Sequence, residues 1–353
     1  MRRNCLNFRF IYAIGLIFII GGCTQRAHET MSKNQTLSQG LKSAAELGKP
    51  LCVILTDTTE ELSINYLKTL KAEYNTVLEH SIVNVVDASS QEIRFYWKWL
   101  TPPSLPLTCI FSPKGDLLDL IPGCSKESFL YIQKAVTDGE MTGFHWPNRF
   151  KLAKNKVIPL LNQLFQVSND LKMGRYNQPR IDSINSILTY SYADYLSLKT
   201  AIISNDSVSA RRLGKQFLSQ QSPDMLELYR DEYIEARKAL NPEFTIKNAP
   251  TIIAEKEKIV ISNAKINSAV PVSLEIRNEG TDTLKIDRIE VGCSCINVVG
   301  SDSNIIVPGK SSYIAKFQFK PDTSGEVSRD IYISSNAINK PNFHISVLAY
   351  VKP

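Results

Sequence analysis

Two cysteines two residues apart, Cys293 and Cys295, are the sharpest chemical feature of this 353-residue sequence. On a strand, positions i and i+2 share a face. Two thiolates so placed suit a soft cation such as Cu(I). They could equally close into a strained, exchangeable disulfide if the backbone turns enough to bring them together, or pack as small apolar groups. A structural zinc takes four ligands, and neither a second cysteine pair nor a histidine pair lies nearby. Of the four histidines, His28, His80 and His145 lie far off in sequence and only His344 follows the pair. None has a serine and an acid in a recognisable nucleophile context. Pro308-Gly309-Lys310-Ser311 looks like the end of a phosphate-binding loop, but Asn304 stands where that loop needs its first glycine. The acid pairs Glu60-Glu61 and Asp231-Glu232 read as solvated helix faces. Catalytic residues are therefore assigned as none, cofactors as none, and the metal as unknown; an enzyme is disfavoured.

The chain opens with a positive segment (Arg2, Arg3, Arg9), and residues 11–20 (IYAIGLIFII) follow as an apolar run, the pattern of a secretory signal. A permanent span needs roughly 20 apolar residues, so the run is short for one. Ile20-Gly21-Gly22-Cys23 resembles the lipobox of bacterial lipoproteins, an apolar residue and two small ones before cysteine. The resemblance implies that residues 1–22 are removed and that Cys23 is lipidated to anchor the chain to a membrane. The expected place is the cell envelope, on the periplasmic face of the outer membrane, with an envelope protein as partner. The formal charge of +6 falls to about +3 once the three arginines leave, too little to argue for nucleic acid. Cys5 leaves with the signal, so Cys52, Cys109, Cys124, Cys293 and Cys295 remain, an odd number in an oxidising compartment.

The elements that must position these residues fall into blocks. With 43% hydrophobic and 22% charged residues the chain has the composition of a globular protein rather than a disordered one. Residues 23–40 are polar and without an apolar period, which predicts a tether after the lipid. Residues 41–138 alternate buried-strand runs at 51–55 (LCVIL), 82–86 (IVNVV), 107–111 (LTCIF) and 117–121 (LLDLI) with helical spacing, a mixed α/β sheet ending in a hairpin. Cys52 and Cys109 fall inside adjacent strands and read as buried small hydrophobes. A Cys52–Cys109 or Cys109–Cys124 disulfide is the alternative.

This block resembles the thioredoxin fold, through Gly48-Lys49-Pro50, Leu105-Pro106-Leu107 and the hairpin Ser112-Pro113-Lys114-Gly115-Asp116. The resemblance implies a cis-proline at Pro106. It also implies a Cys-x-x-Cys where the first strand meets its helix, and there the sequence departs. That place reads Thr56-Asp57-Thr58-Thr59, residues suited to capping a helix rather than to redox chemistry.

Residues 144–245 carry helical spacing throughout, with a tyrosine-rich stretch that reads as packing more than as a ligand groove. Asp206 or Ser207 and Ser222-Pro223-Asp224 are helix starts. Residues 249–353 change to short alternating strands and turns, which predicts an antiparallel sandwich of about seven strands. This block resembles the immunoglobulin-like family called domain of unknown function 1573. The carrying residues are Leu274-Glu275-Ile276-Arg277-Asn278-Glu279-Gly280, Cys293-Ser294-Cys295, Val307-Pro308-Gly309, Phe317 with Phe319-Lys320-Pro321, Gly325 and Ser334-Ser335-Asn336. The family's usual Cys-Gly-Cys-Thr is Cys-Ser-Cys-Ile here. The expected architecture is α/β, then α, then β. The expected role is non-catalytic binding or scaffolding, with thiol-disulfide or soft-metal handling at Cys293 and Cys295 as the alternative.

Overall fold

A computed structural model describes residues 31–353. The signal segment, Cys5 and Cys23 lie outside the described residues. The N-terminal unit runs β1 (Met31–Lys33), α1 (Leu37–Leu47), β2 (Leu51–Thr56), α2 (Glu61–Glu73), α3 (Asn75–His80), β3 (Ile82–Asp87), α4 (Ile93–Leu100), β4 (Leu107–Phe111), β5 (Leu117–Pro122) and α5 (Lys126–Asp138). Its sheet order is β1-β3-β2-β4-β5. The strands β1, β3 and β2 are parallel, while β4 and β5 run antiparallel to their neighbours.

Residues 31–40 are folded rather than a tether. The reason is Asn84, a fully buried side chain on β3. Its amide donates to the Gln35 carbonyl at 2.9 Å and its oxygen accepts from the Gln35 backbone N–H. Asn34, at φ 52°, donates its own N–H to Val85 and accepts from the Asp87 N–H. A buried amide costs free energy unless satisfied, so the segment is drawn onto the sheet edge. Thr36 and Gln39 then form a complete capping box for α1.

Alternate residues of β2 and β4 enter opposite cores. Leu51, Val53, Leu55, Cys109 and Phe111 face one side, and Cys52, Ile54 and Ile110 face the other, under α2, α3 and α5. The first core does not end with this unit. It continues into α6 (Lys154–Lys172), α7 (Gln178–Asn185), α8 (Ser191–Ile203), α9 (Ser207–Ser219), α10 (Pro223–Leu228) and α11 (Arg230–Leu240). Trp99 on α4 is the shared residue. It is fully buried, its Nε1–H donates to the Leu161 carbonyl at 2.9 Å, and its carbonyl accepts from the Tyr190 hydroxyl at 2.9 Å. Residues 144–153, expected to be helical, are irregular. Gly143, Pro147 and Asn148 carry the turn chemistry that competes with helix there. Asp206 and Ser222 cap α9 and α10 as their sequence positions predict.

The C-terminal part runs β6 (Ile252–Ala254), β7 (Lys258–Lys265), β8 (Val270–Asn278), β9 (Leu284–Val291), β10 (Ile296–Val299), β11 (Ser303–Val307), β12 (Ser312–Phe319), β13 (Gly325–Ser335) and β14 (Asn342–Lys352). Two sheets, β10-β12-β8-β6 and β11-β9-β13-β14-β7, enclose one core. Pairing is antiparallel except that β7 joins β14 in parallel. Alternation is regular: Phe317 and Phe319 on β12, with Phe343, Ile345, Val347 and Ala349 on β14, are all buried. There are more strands than the expected seven or so, because short edge pieces such as β6 carry too few residues to show a period.

One corner is held by Asn278. Its amide donates to the carbonyls of Asp282, Val307 and Pro308, and its oxygen accepts from the Gly280 and Thr251 N–H groups. Backbones close up so tightly around it that a Cβ on Gly280 would lie 2.0 Å from the Ala249 carbonyl oxygen, and one on Gly309 2.1 Å from that of Thr281.

Candidate functional site

Where β2 meets α2, the polar groups bond to one another. The Asp57 N–H donates to Ser63 Oγ, the Thr58 N–H to Asp87 and the Thr59 N–H to Asp57. Burial opposes ionisation of Asp87, but hydrogen bonds from Ser89 and Thr58 outweigh it and hold the carboxyl at about 2. The Leu105–Pro106 bond is cis, and the Pro106 carbonyl accepts from Gly123 N–H at 2.9 Å.

The cysteines of this unit are not arranged for chemistry. Cys52 and Cys109 are free and fully buried, on opposite faces of the sheet, so no disulfide can join them. Burial pushes the Cys52 thiol up to about 12, a hydrogen bond with Ser81 acting weakly against it. Burial also raises Cys109 well above its ordinary value. Both are therefore neutral thiols rather than thiolates. Cys124 is free and half-buried just past β5.

Cys293 and Cys295 are joined by a disulfide with a Cα–Cα distance of 5.2 Å. They do not share a strand face as the spacing predicts. They occupy the turn between β9 and β10, where the backbone curves enough to bring the two sulfurs together. The turn is tied down on both sides: the Cys295 carbonyl accepts from Lys320 N–H at 2.7 Å, and Gly292 N–H donates to the Asp330 carbonyl at 2.8 Å. Cys295 is buried and Ser294 is exposed. His344 pairs instead with Asp330, Nε2 to Oδ1 at 2.7 Å. Among the described residues no group of three or more His, Cys, Asp or Glu side chains could hold a metal.

A second site was not anticipated from the sequence. The irregular stretch after α5 and the chain leaving α4 enclose a cleft of about 1000 Å3. Two of its lining residues, Thr142 and Lys154, are held by Asp119, a carboxylate on β5 with no exposure. Asp119 accepts from the Thr142 N–H and hydroxyl at 2.8 and 2.6 Å, and from Leu120 N–H at 2.7 Å, and it pairs with the Lys154 ammonium. Three lining residues keep a buried polar atom with no hydrogen-bond partner among the described residues: Thr101 Oγ1, Trp146 Nε1 and Asn148 Oδ1. The Asn148 assignment is fixed by its own contacts, since its amide nitrogen donates to the carbonyls of Trp146 and Leu152 and so the oxygen must face away. Two lining residues also carry left-handed backbone, Thr101 at φ 45° and Lys151 at φ 54°. For β-branched Thr101 that conformation is strained. The signal in the sequence was the cluster of turn-forming residues within 143–148, which interrupts a helical reading and so leaves polar groups to be satisfied otherwise.

Residues 252–349 match the family model described as protein of unknown function, DUF1573. The disulfide turn, the Asn278 corner and both sheets thus fall in the DUF1573 domain. No curated protein matches the chain. Among solved structures, a protein of unknown function from Porphyromonas gingivalis is 16% identical over 31% of this chain and 50% of its own, with a TM-score of 0.27. The seventh PapD-like domain of human CEP192 is 10% identical over 31% of this chain and 91% of its own, with a TM-score of 0.26. A Bacteroides ovatus xyloglucanase in complex with a heptasaccharide is 15% identical over 29% of this chain and 19% of its own, at 0.21. The chain thus spans half the length of the Porphyromonas gingivalis protein. Identities and TM-scores this low leave the fold outside the DUF1573 match to be judged from its own strand order.

Proposed function

We propose that this is a lipid-anchored protein of the bacterial envelope that binds a ligand rather than transforming one. In this reading Cys23 carries the lipid, and the anchor holds the folded body at the periplasmic face of the outer membrane. The N-terminal unit is thioredoxin-like without its dithiol, a reading supported by the order β1-β3-β2-β4-β5 with β4 and β5 antiparallel. The DUF1573 domain is an immunoglobulin-like sandwich that engages an envelope protein partner.

The observation that carries the binding role is a cleft of about 1000 Å3 that no acidic side chain lines and whose exposed Arg149 and Lys151 have no ion-pair partner among the described residues. Concave sites lined by apolar groups and a few polar ones are where small ligands bind. The test is complementation of a deletion strain. Gly143 lines the cleft and has open space beside it, so Gly143→Phe is expected to fill the cleft and abolish complementation at unchanged protein level. Full complementation by Gly143→Phe would overturn the binding role. Palmitate labelling that persists in Cys23→Ser would overturn the anchor.

A second reading, thiol-disulfide exchange or soft-metal handling at Cys293 and Cys295, is favoured by the closed disulfide at a turn whose tip, Ser294, is exposed. It expects the Cys293→Ser, Cys295→Ser double variant to behave as the deletion. The binding reading expects that variant to complement.

A further inference from the structure

We infer that the DUF1573 domain swings as a rigid body on the connection 241–247, and that Arg237 and Asp282 form the latch that holds it closed against the helices. The inference depends neither on the cleft nor on the lipid anchor.

Two bodies meet at this connection. The N-terminal sheet and α6–α11 share one core, and the two sheets of the sandwich enclose another. Apart from Phe244, whose ring lies under Arg237, residues 241–247 are exposed. Their hydrogen bonds stay within the stretch and its immediate neighbours. Glu243 N–H donates to the Asn241 side-chain oxygen at 3.1 Å, Phe244 N–H to the Asn241 carbonyl at 2.9 Å, and Thr245 N–H to the Asn248 side-chain oxygen at 2.9 Å. From Asn248 onward the chain belongs to the sandwich. The Asn248 carbonyl accepts from Asp282 N–H at 2.8 Å, and the Thr251 carbonyl from Glu279 N–H at 2.9 Å. Rotation within a few loop residues of this kind turns one body without breaking the ladders of either.

Few groups hold the bodies together. Ala249 and Ile338 of the sandwich pack with Leu226, Tyr233 and Phe244. Among the described residues three side-chain hydrogen bonds cross the junction. Arg237 donates to Asp282 at 2.6 Å, and the Asn342 amide donates to Asp224 and Glu227 at 2.8 and 3.2 Å. Two clefts of about 320 and 360 Å3 lie in the junction and are lined from both sides. Close-packed interiors leave no such space, and a small, polar, incompletely filled join permits relative motion.

Arg237 is set in place by its own body. Its guanidinium lies 4.6 Å from the centre of the Phe244 ring, and one nitrogen donates to the Tyr233 hydroxyl at 3.0 Å. The other nitrogen therefore meets Asp282 with little further ordering. The two side chains are 29% and 36% exposed, so water and salt reach the pair and weaken it. Such a contact opens readily yet fixes a single closed pose. Opening uncovers the face of β13 and β14 around Tyr332, Ser334 and Asn342, which Pro223 and Asp224 adjoin in the closed form.

The experiment is small-angle X-ray scattering of the full purified chain, with circular dichroism of the same samples. The wild type at low salt is expected to show the maximum dimension of the closed structure. Asp282→Lys sets two cations against each other and is expected to lengthen that dimension while the β-sheet signal stays unchanged. Salt at roughly 1 M, where screening acts over about 3 Å, is expected to lengthen the wild type in the same way. An Asp282→Lys profile that superimposes on the wild type would overturn the latch, and so would a wild type indifferent to salt. Lengthening accompanied by loss of the β-sheet signal would overturn the rigid-body swing, because the sandwich would then be unfolding rather than turning.

Discussion

At the residue scale, one buried carboxylate ties together two residues that line the cleft, Thr142 and Lys154. Asp119 has no exposure and four hydrogen-bonded contacts, from Thr142, Leu120 and Lys154. Breaking a buried ion pair from one side strands the other charge, at a cost of about 3–5 kcal/mol. Lys154→Met keeps most of the apolar stem and removes the ammonium, its charge and its hydrogen bond together. It is expected to lower unfolding stability by about that amount, read as the free energy from a urea titration. A loss below about 1 kcal/mol would mean that Thr142 and Leu120 satisfy the carboxylate without the lysine. Nothing around Asp119 in sequence announces this, since Leu117-Leu118-Asp119-Leu120-Ile121 reads as an apolar strand with a stray acid. The partner lies 35 positions away.

At the scale of elements, the folded N-terminal edge depends on the same kind of distant partner. β1 has three residues and no hydrophobic period, and Asn84 captures it from the middle of a buried strand. Removing that side chain leaves the backbone of residue 35 without two of its bonds. Asn84→Ala is therefore expected to release residues 31–36 while β2 through β5 stay intact. Hydrogen exchange is the measurement: amide protection at residues 34–36 should drop to that of a free segment. Unchanged protection there would assign the docking to the β1–β3 ladder alone. The capping box Thr36-x-x-Gln39 falls inside the stretch read as a tether, and the strand preceding it shows no pattern because three residues cannot display alternation.

For the whole molecule, the N-terminal sheet and the helical middle share one core, while the sandwich holds its own. The sequence suggests a boundary near residue 140, but Trp99 crosses it, bonding to Leu161 and accepting from Tyr190. The join to the sandwich is smaller: Phe244, Ala249 and Ile338 pack with Leu226 and Tyr233, and Arg237 pairs with Asp282 at 2.6 Å. Trp99→Ala is expected to cost about 3–5 kcal/mol. Its expected signature is a matched loss of hydrogen-exchange protection in β2–β5 and in α6–α11, with β8–β14 little changed. Loss confined to β2–β5 would restore two independent domains.

The amino-acid sequence by itself determined what depends on local pattern: the buried strands, the helix starts at Asp206 and Ser222, the alternating sandwich that matches DUF1573, and the want of cysteines where β2 meets α2. Each is written in neighbours a few positions apart, through period, capping and turn chemistry. Tertiary structure alone decided what depends on pairs far apart in the chain. It folded residues 31–40 through Asn84 and placed Cys52 and Cys109 on opposite faces. It curved Cys293 and Cys295 into a disulfide turn and brought Thr101 and Pro103 against residues 141–155 to form a cleft. Satisfaction of a buried polar group is a property of the space around it, and that space is assembled from segments no local window contains.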